Sequence, residues 1–264
     1  MKMGIEPKTV DILGIAVSAF TMNELLGIID ASVVSRQPLL LGVVNAAKIV
    51  NARKDAELMH SLKQADIVVA DGAPVVWLSR LLGAPLPQRM AGIDVMYRIL
   101  EKASERQYSV YFLGAKPEVL QRVVEIITRQ YPRAIIAGYS DGYFSDSEAE
   151  SVAQDIKSSR ADILLVAMPS PHKENFLAKW YDFIQVPVCH GVGGSFDVMA
   201  GVTKRAPLWM QKSGLEWLFR TIQEPRRMWK RYLVTNTLFI WLSLLEILRH
   251  RLGRAWLRAR KGVQ

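Results

Sequence analysis

The chain carries a single cysteine, Cys189, among its 264 residues. One thiol excludes an internal disulfide framework, and no Cys/His cluster has zinc-ligand spacing, so a reducing compartment is expected. Cys189 lies in the apolar run "QVPVCHG", the setting of a packed strand residue rather than a nucleophile. His172 and His190 stand apart from any metal-ligand pattern and are read as making ordinary polar contacts. No Asp-x-Asp pair is available to hold a divalent ion on a nucleotide diphosphate. No Gly-Lys-Ser/Thr closes a Walker loop, and the dinucleotide fingerprint G-x-G-x-x-G is incomplete in "GVGGSFD", where Phe196 takes the last glycine position. An NAD(P) cofactor is therefore disfavoured. The N-terminus has neither the apolar core nor the small-residue cleavage site of a signal peptide, so export is not expected. The longest apolar stretch, "LVTNTLFIWLSLLEIL" from Leu233 to Leu248, contains Glu246 and falls short of the roughly 20 residues a spanning helix needs. It is not expected to be transmembrane.

Acidic residues are scarce in one region only. Positions 204–264 hold 14 basic and 3 acidic side chains, so the formal net charge of +9 belongs to the tail, the preceding residues being slightly acidic. Half of the composition is apolar, enough to bury a substantial core. Short apolar runs, "VDILGIAV", "LLLGVV", "DIVVA", "YSVYFLG", "AIIAG", "ADILLVAM" and "VPVCHG", alternate with helical patterns. This spacing predicts an α/β fold with a mostly parallel sheet flanked by helices. Thr21 and Glu24, and again Ser145 and Glu148, have capping-box spacing, and Pro117 sits where a first helical turn tolerates it. From Pro207 onward the pattern is helical only, which sets a boundary near Thr203. Residues 1–203 form the body and 204–264 a basic amphipathic appendage, in which Pro225 breaks or starts a helix.

In such sheets ligands settle outside the carboxyl ends of the strands. Those ends read Asn45, Asp71-Gly72, Gly114, Met168 to Lys173, and Gly191 to Asp197. The Gly191 to Asp197 segment could bring backbone N–H groups to a diphosphate, although a plain tight turn explains it equally well. Asp71 is a carboxylate flanked by apolar sequence and could accept a proton from a hydroxyl, while an Asx turn is the alternative for Asp71-Gly72. Arg89, in the loop before a helix predicted over Ile93 to Arg106, offers a planar fork for phosphate, or simply pairs with Asp94. In the tail, Arg220, Arg226, Arg227, Lys230 and Arg231 are interleaved with Trp217, Phe219, Trp229 and Tyr232. That mixture suits a lipid interface or nucleic acid, and the neighbouring apolar stretch favours lipid.

Taken together, "VNAAKIVNA", "VADGAPVVW", "GAPLPQRMAGID", "YFLGA", "GYF", "GVGGSFDVMAGVTKRAP" and "GLEWLFRTIQEPRR" resemble the WecG/TagA/CpsF family of bacterial glycosyltransferases, over about residues 10–231. The resemblance implies a Rossmann-like body with a helical appendage that helps complete the site. It also implies inverting, metal-independent transfer from a UDP-sugar to a polyprenyl-diphosphate-linked saccharide in surface polysaccharide synthesis, without a cofactor, by a peripheral protein on the cytoplasmic membrane face. Asp71 becomes the general base. Asn45, Arg89, Asp94, Lys173, Gly191, Gly193, Gly194, Ser195 and Asp197 become substrate-binding residues, and Arg220, Arg226 and Arg227 neutralise the leaving UDP. The sequence departs from the family pattern at Val43-Val44-Asn45, Asp71-Gly72-Ala73-Pro74 and Pro171-His172-Lys173-Glu174. Those departures leave N-acetylmannosamine, its uronic acid and glucose open as the transferred sugar. A nucleotide-dependent oxidoreductase and a nucleic-acid-binding protein are the competing readings; the expected partner is an anionic membrane surface and no nucleic acid.

Overall fold

The computed structural model describes residues 8–261, with the side chains of Arg227 and of positions 253–261 outside the description. The chain opens with a hairpin of β1 (Thr9–Ile12) and β2 (Ile15–Ser18), paired antiparallel. The run "VDILGIAV" is therefore two strands that stand apart from the main sheet. Leu13 and Gly14 turn the corner with φ of 56° and 89°, and Asp11 Oδ1 accepts the Gly14 N–H at 3.0 Å. Then come α1 (Met22–Ser35), β3 (Leu39–Val44), α2 (Ala46–Ala52), α3 (Ala56–Gln64), β4 (Ile67–Ala70), α4 (Ala73–Leu81) and α5 (Gly92–Arg106). The second half of the body contains β5 (Ser109–Gly114), α6 (Pro117–Gln130), β6 (Ile135–Ser140), α7 (Ala149–Ser159), β7 (Ile163–Ala167), α8 (His172–Ile184), β8 (Val188–Gly191) and the short α9 (Ser195–Met199). Six strands pair in the order β4-β3-β8-β7-β5-β6, every neighbouring pair parallel. The fold is α/β with helices on both faces.

Local signals account for the helix starts. Thr21 caps α1 with the reciprocal capping box, its backbone N–H donating to Glu24 and its hydroxyl accepting from the Glu24 N–H. Pro117 opens α6. Ser145 and Glu148 do pair, but one turn upstream of α7, since Glu148 itself is the N-cap. Strands β4 and β7 are buried on both faces, as crossover helices require, whereas the edge strand β6 is partly exposed, with Ile135 and Tyr139 at the surface. Cys189 in β8 is fully buried, and burial pushes its thiol pKa up, as befits a packed strand residue.

Beyond Thr203 the described chain is helical: α10 (Leu208–Lys212), α11 (Glu216–Gln223) and α12 (Pro225–Lys261). Pro225 starts α12, where its missing N–H costs no ladder bond. The length argument against a membrane span fails here. The helix extends past the apolar stretch at both ends, and Met228–Leu252, 25 residues, is long and apolar enough to cross a bilayer. That test concerns length and composition alone. One stripe of α12 is docked on the body, with Phe239 buried among residues of β1, β2, α2 and α4 and with Leu238, Leu242 and Ile247 packed against the same cluster. The opposite stripe, with Leu233, Ile240, Trp241, Leu244, Leu248 and Leu252, is exposed. The helix is thus apolar on two faces.

Candidate active site

Register brings the predicted strand ends together. Val44 pairs with Ala70 across β3 and β4, so Asn45 and Asp71 leave the sheet side by side, and the Asp71 N–H donates to the Val44 carbonyl at 2.8 Å. A Cβ on Gly72 would come within 3.4 Å of Asn45 Cβ. The oxygen of the Asn45 side chain is already engaged. It caps α2, accepting the Lys48 N–H at 3.0 Å. Asp71 is half-buried at the rim, and its carboxylate has no hydrogen bond or ion pair with the described residues. The Met90 N–H donates to the Ala70 carbonyl at 2.8 Å, which holds Arg89 beside Asp71.

Arg89 is engaged by the appendage. Its guanidinium pairs with Glu216 of α11, donates to the Gln211 carbonyl at 3.4 Å and lies 3.8 Å from Asp94. Asp94 in turn receives both prongs of Arg205, at 2.7 and 2.8 Å. The pairing of Arg89 with Asp94 considered from sequence is therefore the looser contact, because Arg205 claims that carboxylate. Burial lowers the Arg205 pKa, but Asp94 and Glu216 outweigh it and the net shift is upward. Arg205 and Glu216, the partners of Asp94 and Arg89, were not singled out from the sequence. Each sits inside a quoted motif, yet nothing in the sequence reveals that the segment after Thr203 folds back onto the loop around Arg89.

The elbow between α10 and α11 rests on the helix that follows Asp71. Gly214 has φ of 70°, and a Cβ there would lie 2.8 Å from Trp77 of α4 and 3.0 Å from Ala73. Only glycine meets both demands.

Gly191 to Asp197 ends β8 and begins α9. Gly193 has φ of 55° and open space above it, whereas the Ser195 hydroxyl is turned inward onto the Val192 carbonyl at 2.6 Å. Gly194 is exposed and Asp197 half-buried in the same turn. Behind Gly191 lies Lys173, whose stem would touch an added Cβ at 3.1 Å. Lys173 is buried, and its ammonium meets Glu174 at 2.8 Å; Lys48 meets the same carboxylate oxygen at 2.8 Å and donates to the Val43 carbonyl at 2.6 Å. Burial, with help from Lys48, lowers the Lys173 pKa to about 8. Burial alone would raise Glu174, but the two ammoniums override it and hold its pKa at about 2. His190, fully buried, contacts the Gly92 carbonyl through Nε2 at 3.3 Å, and burial lowers its pKa to about 4. It is a neutral packing residue with the polar contact expected of it.

Arg220 and Arg226 are exposed, on α11 and at the start of α12, and neither forms an ion pair with the described residues. The side chain of Arg227 lies outside the described residues. Among the described residues, no three His, Cys, Asp or Glu side chains gather as a metal site.

Asp71, whose carboxylate has no partner among the described residues, Arg89, the Gly191–Asp197 turn and the helices after Thr203 thus meet at one rim of the sheet. Residues 10–253 match the model of the glycosyl transferase WecG/TagA/CpsF family, and the chain belongs to that family: it is a glycosyltransferase. It is 39% identical over 194 residues, 74% of this chain and 75% of the relative, to the N-acetylglucosaminyldiphosphoundecaprenol N-acetyl-beta-D-mannosaminyltransferase of Bacillus subtilis. The enzyme of the same description from Bacillus spizizenii is 40% identical over 172 residues, 65% of this chain and 66% of the relative. Neither the oxidoreductase nor the nucleic-acid reading gains support from these matches.

Proposed function

We propose that the protein transfers N-acetylmannosamine from a UDP-linked donor to a polyprenyl-diphosphate-linked N-acetylglucosamine, by a single inverting displacement that needs no metal. The observation that carries this reading is the carboxylate of Asp71, without a partner among the described residues and set between Asn45 and Arg89, next to the α4 turn on which the α10–α11 elbow rests. In the displacement, Asp71 takes the proton of the acceptor hydroxyl as its oxygen bonds to the anomeric carbon, and the bond to the UDP oxygen breaks. Asn45 and the open turn at Gly193 flank the reacting sugar and the diphosphate. Arg89, Arg220, Arg226 and Arg227 neutralise charge that grows on the departing diphosphate, the task a metal performs in other enzymes.

The exposed stripe of α12, together with Trp229 and the basic residues Lys230 and Arg231, suits an anionic lipid surface on the cytoplasmic side, with the helix lying in the interface. Docking of its other stripe on α2 supports a peripheral rather than a spanning arrangement. The relatives' descriptions support N-acetylmannosamine over its uronic acid or glucose.

The test is transfer from UDP-N-acetylmannosamine to a synthetic polyprenyl-diphosphate N-acetylglucosamine with EDTA present. Product is expected from the wild type. Asp71→Asn should lower kcat by about 10²- to 10⁴-fold, the usual contribution of a positioned base, with donor KM nearly constant. Turnover abolished by EDTA and restored by Mg²⁺, or unimpaired in Asp71→Asn, would refute the mechanism.

A further inference from the structure

Arg89 stands where the substrate's phosphates are expected, yet its guanidinium is already neutralised, and by a residue of the appendage. Four charged side chains alternate along the seam between body and appendage: Arg205, Asp94, Arg89 and Glu216. Their charges cancel. The contacts are unequal, however, for Asp94 is taken at 2.7 and 2.8 Å by Arg205 and lies 3.8 Å from Arg89. Glu216 is therefore the principal counter-charge of Arg89. With side-chain exposures of 18% for Arg89 and 28% for Glu216, the pair is only partly screened by water. Arg205 keeps Asp94 from replacing Glu216 if Glu216 withdraws.

Glu216 also has somewhere to go. It occupies the first turn of α11, where the unpaired N–H groups of the helix favour a carboxylate whether or not Arg89 is present. Arg89 has less freedom, because the backbone next to it is tied to the end of β4.

From this asymmetry we propose that Glu216 is an internal stand-in for the substrate diphosphate: it holds Arg89 in the empty enzyme, and a nucleoside diphosphate displaces it, so that ligand binding loosens α11 from the rim. The inference rests on the reading of Arg89 as a diphosphate contact. Glu216 is then a positioning residue for Arg89, and α11, freed of that tie as the site fills, can turn Arg220 toward the bound diphosphate. A strut that merely glued the appendage to the body would behave in the opposite way, since cutting it would weaken or leave unchanged the binding of ligand.

The test uses the full chain in detergent, with UDP as the probe and calorimetry as the readout. Glu216→Gln should tighten the UDP Kd by about three-fold or more, the effect of removing one competing, partly screened ion pair. Arg89→Gln should weaken UDP binding, and adding Glu216→Gln to it should change nothing further, the non-additivity that marks a shared contact. Unchanged or weaker UDP binding in Glu216→Gln, with Arg89→Gln still impaired, overturns the stand-in and leaves the proposed function intact. Wild-type UDP affinity in Arg89→Gln overturns the diphosphate contact and the stand-in with it. On the unaltered protein, amide hydrogen exchange over positions 213–220 should accelerate when UDP saturates the site; slower or equal exchange there also overturns the proposal, even if a variant fails to fold.

Discussion

Replacing Glu174 by Gln would leave the Lys48 and Lys173 ammoniums facing each other at the rim with no counter-charge. Holding a carboxyl at about 2 instead of its ordinary 4.5 corresponds to roughly 3 kcal/mol in favour of the ionised folded form, at about 1.4 kcal/mol per pH unit. Because its folded pKa is depressed, that contribution is present above about pH 4.5 and is lost as the pH falls toward 2. Lys173 opposes it, being held near 8 instead of 10.5. The intact cluster therefore contributes little net stability, while breaking it exposes the cost of a buried charge, again about 3 kcal/mol. At about 2–4 °C per kcal/mol for a chain of this size, Tm at pH 7 should fall by about 6–12 °C. The pH dependence carries the stronger test. Above pH 8 the folded protein releases the Lys173 proton before the unfolded chain does, so only Lys48 remains charged beside residue 174. The gap between wild type and variant should therefore narrow from pH 7 to pH 9. Differential scanning fluorimetry at the two pH values decides it. A loss under about 2 °C at pH 7, or a gap that does not change with pH, would refute the electrostatic reasoning.

Two further outcomes follow from the appendage. Gly214→Ala places a methyl group 2.8 Å from Trp77 at a φ of 70°; it should displace the elbow and reduce transfer about ten-fold or more, as a misplacement of about 1 Å can, and activity equal to wild type would show that elbow placement does not matter. Leu244→Glu combined with Leu248→Glu, at positions 52% and 55% exposed, should leave Tm within about 2 °C, as surface changes usually do, while abolishing flotation with anionic vesicles. Retained flotation would assign lipid contact to another surface.

The main sheet was legible because its strands are continuous apolar runs, and the gathering of Asn45, Asp71 and Gly191 followed from the rule that parallel strands present their carboxyl ends on one rim. The hairpin was not, since "VDILGIAV" separates its turn residues, Asp11 and Gly14, by two apolar ones, and its corner relies on Leu13 at positive φ, a conformation composition does not announce. The length of α12 was misjudged by counting only its apolar stretch; helix formation does not stop where hydrophobicity does, and Trp229, Lys230, Arg231 and Arg249 continue the same ladder. Asp71 and Arg89 were singled out by chemistry and position, and the structure sets them side by side on that rim. Glu216 and Arg205 could not be, because ion pairs between residues 127 and 111 apart leave no local pattern. Lys173 was counted among the binders, and the structure gives it a prior engagement with Glu174 behind Gly191.

The docking of α12 on α2 has a geometric consequence. The short helix α2 begins at Asn45, on the rim that holds Asp71, and its apolar side carries the inner stripe of α12. Whatever captures the outer stripe thereby fixes the height and tilt of the rim that carries Asn45 and Asp71 through one helix–helix contact. The enzyme is built with its own ruler, and altering the thickness of side chains between these two helices would change how far the rim can reach without touching a single residue at the site.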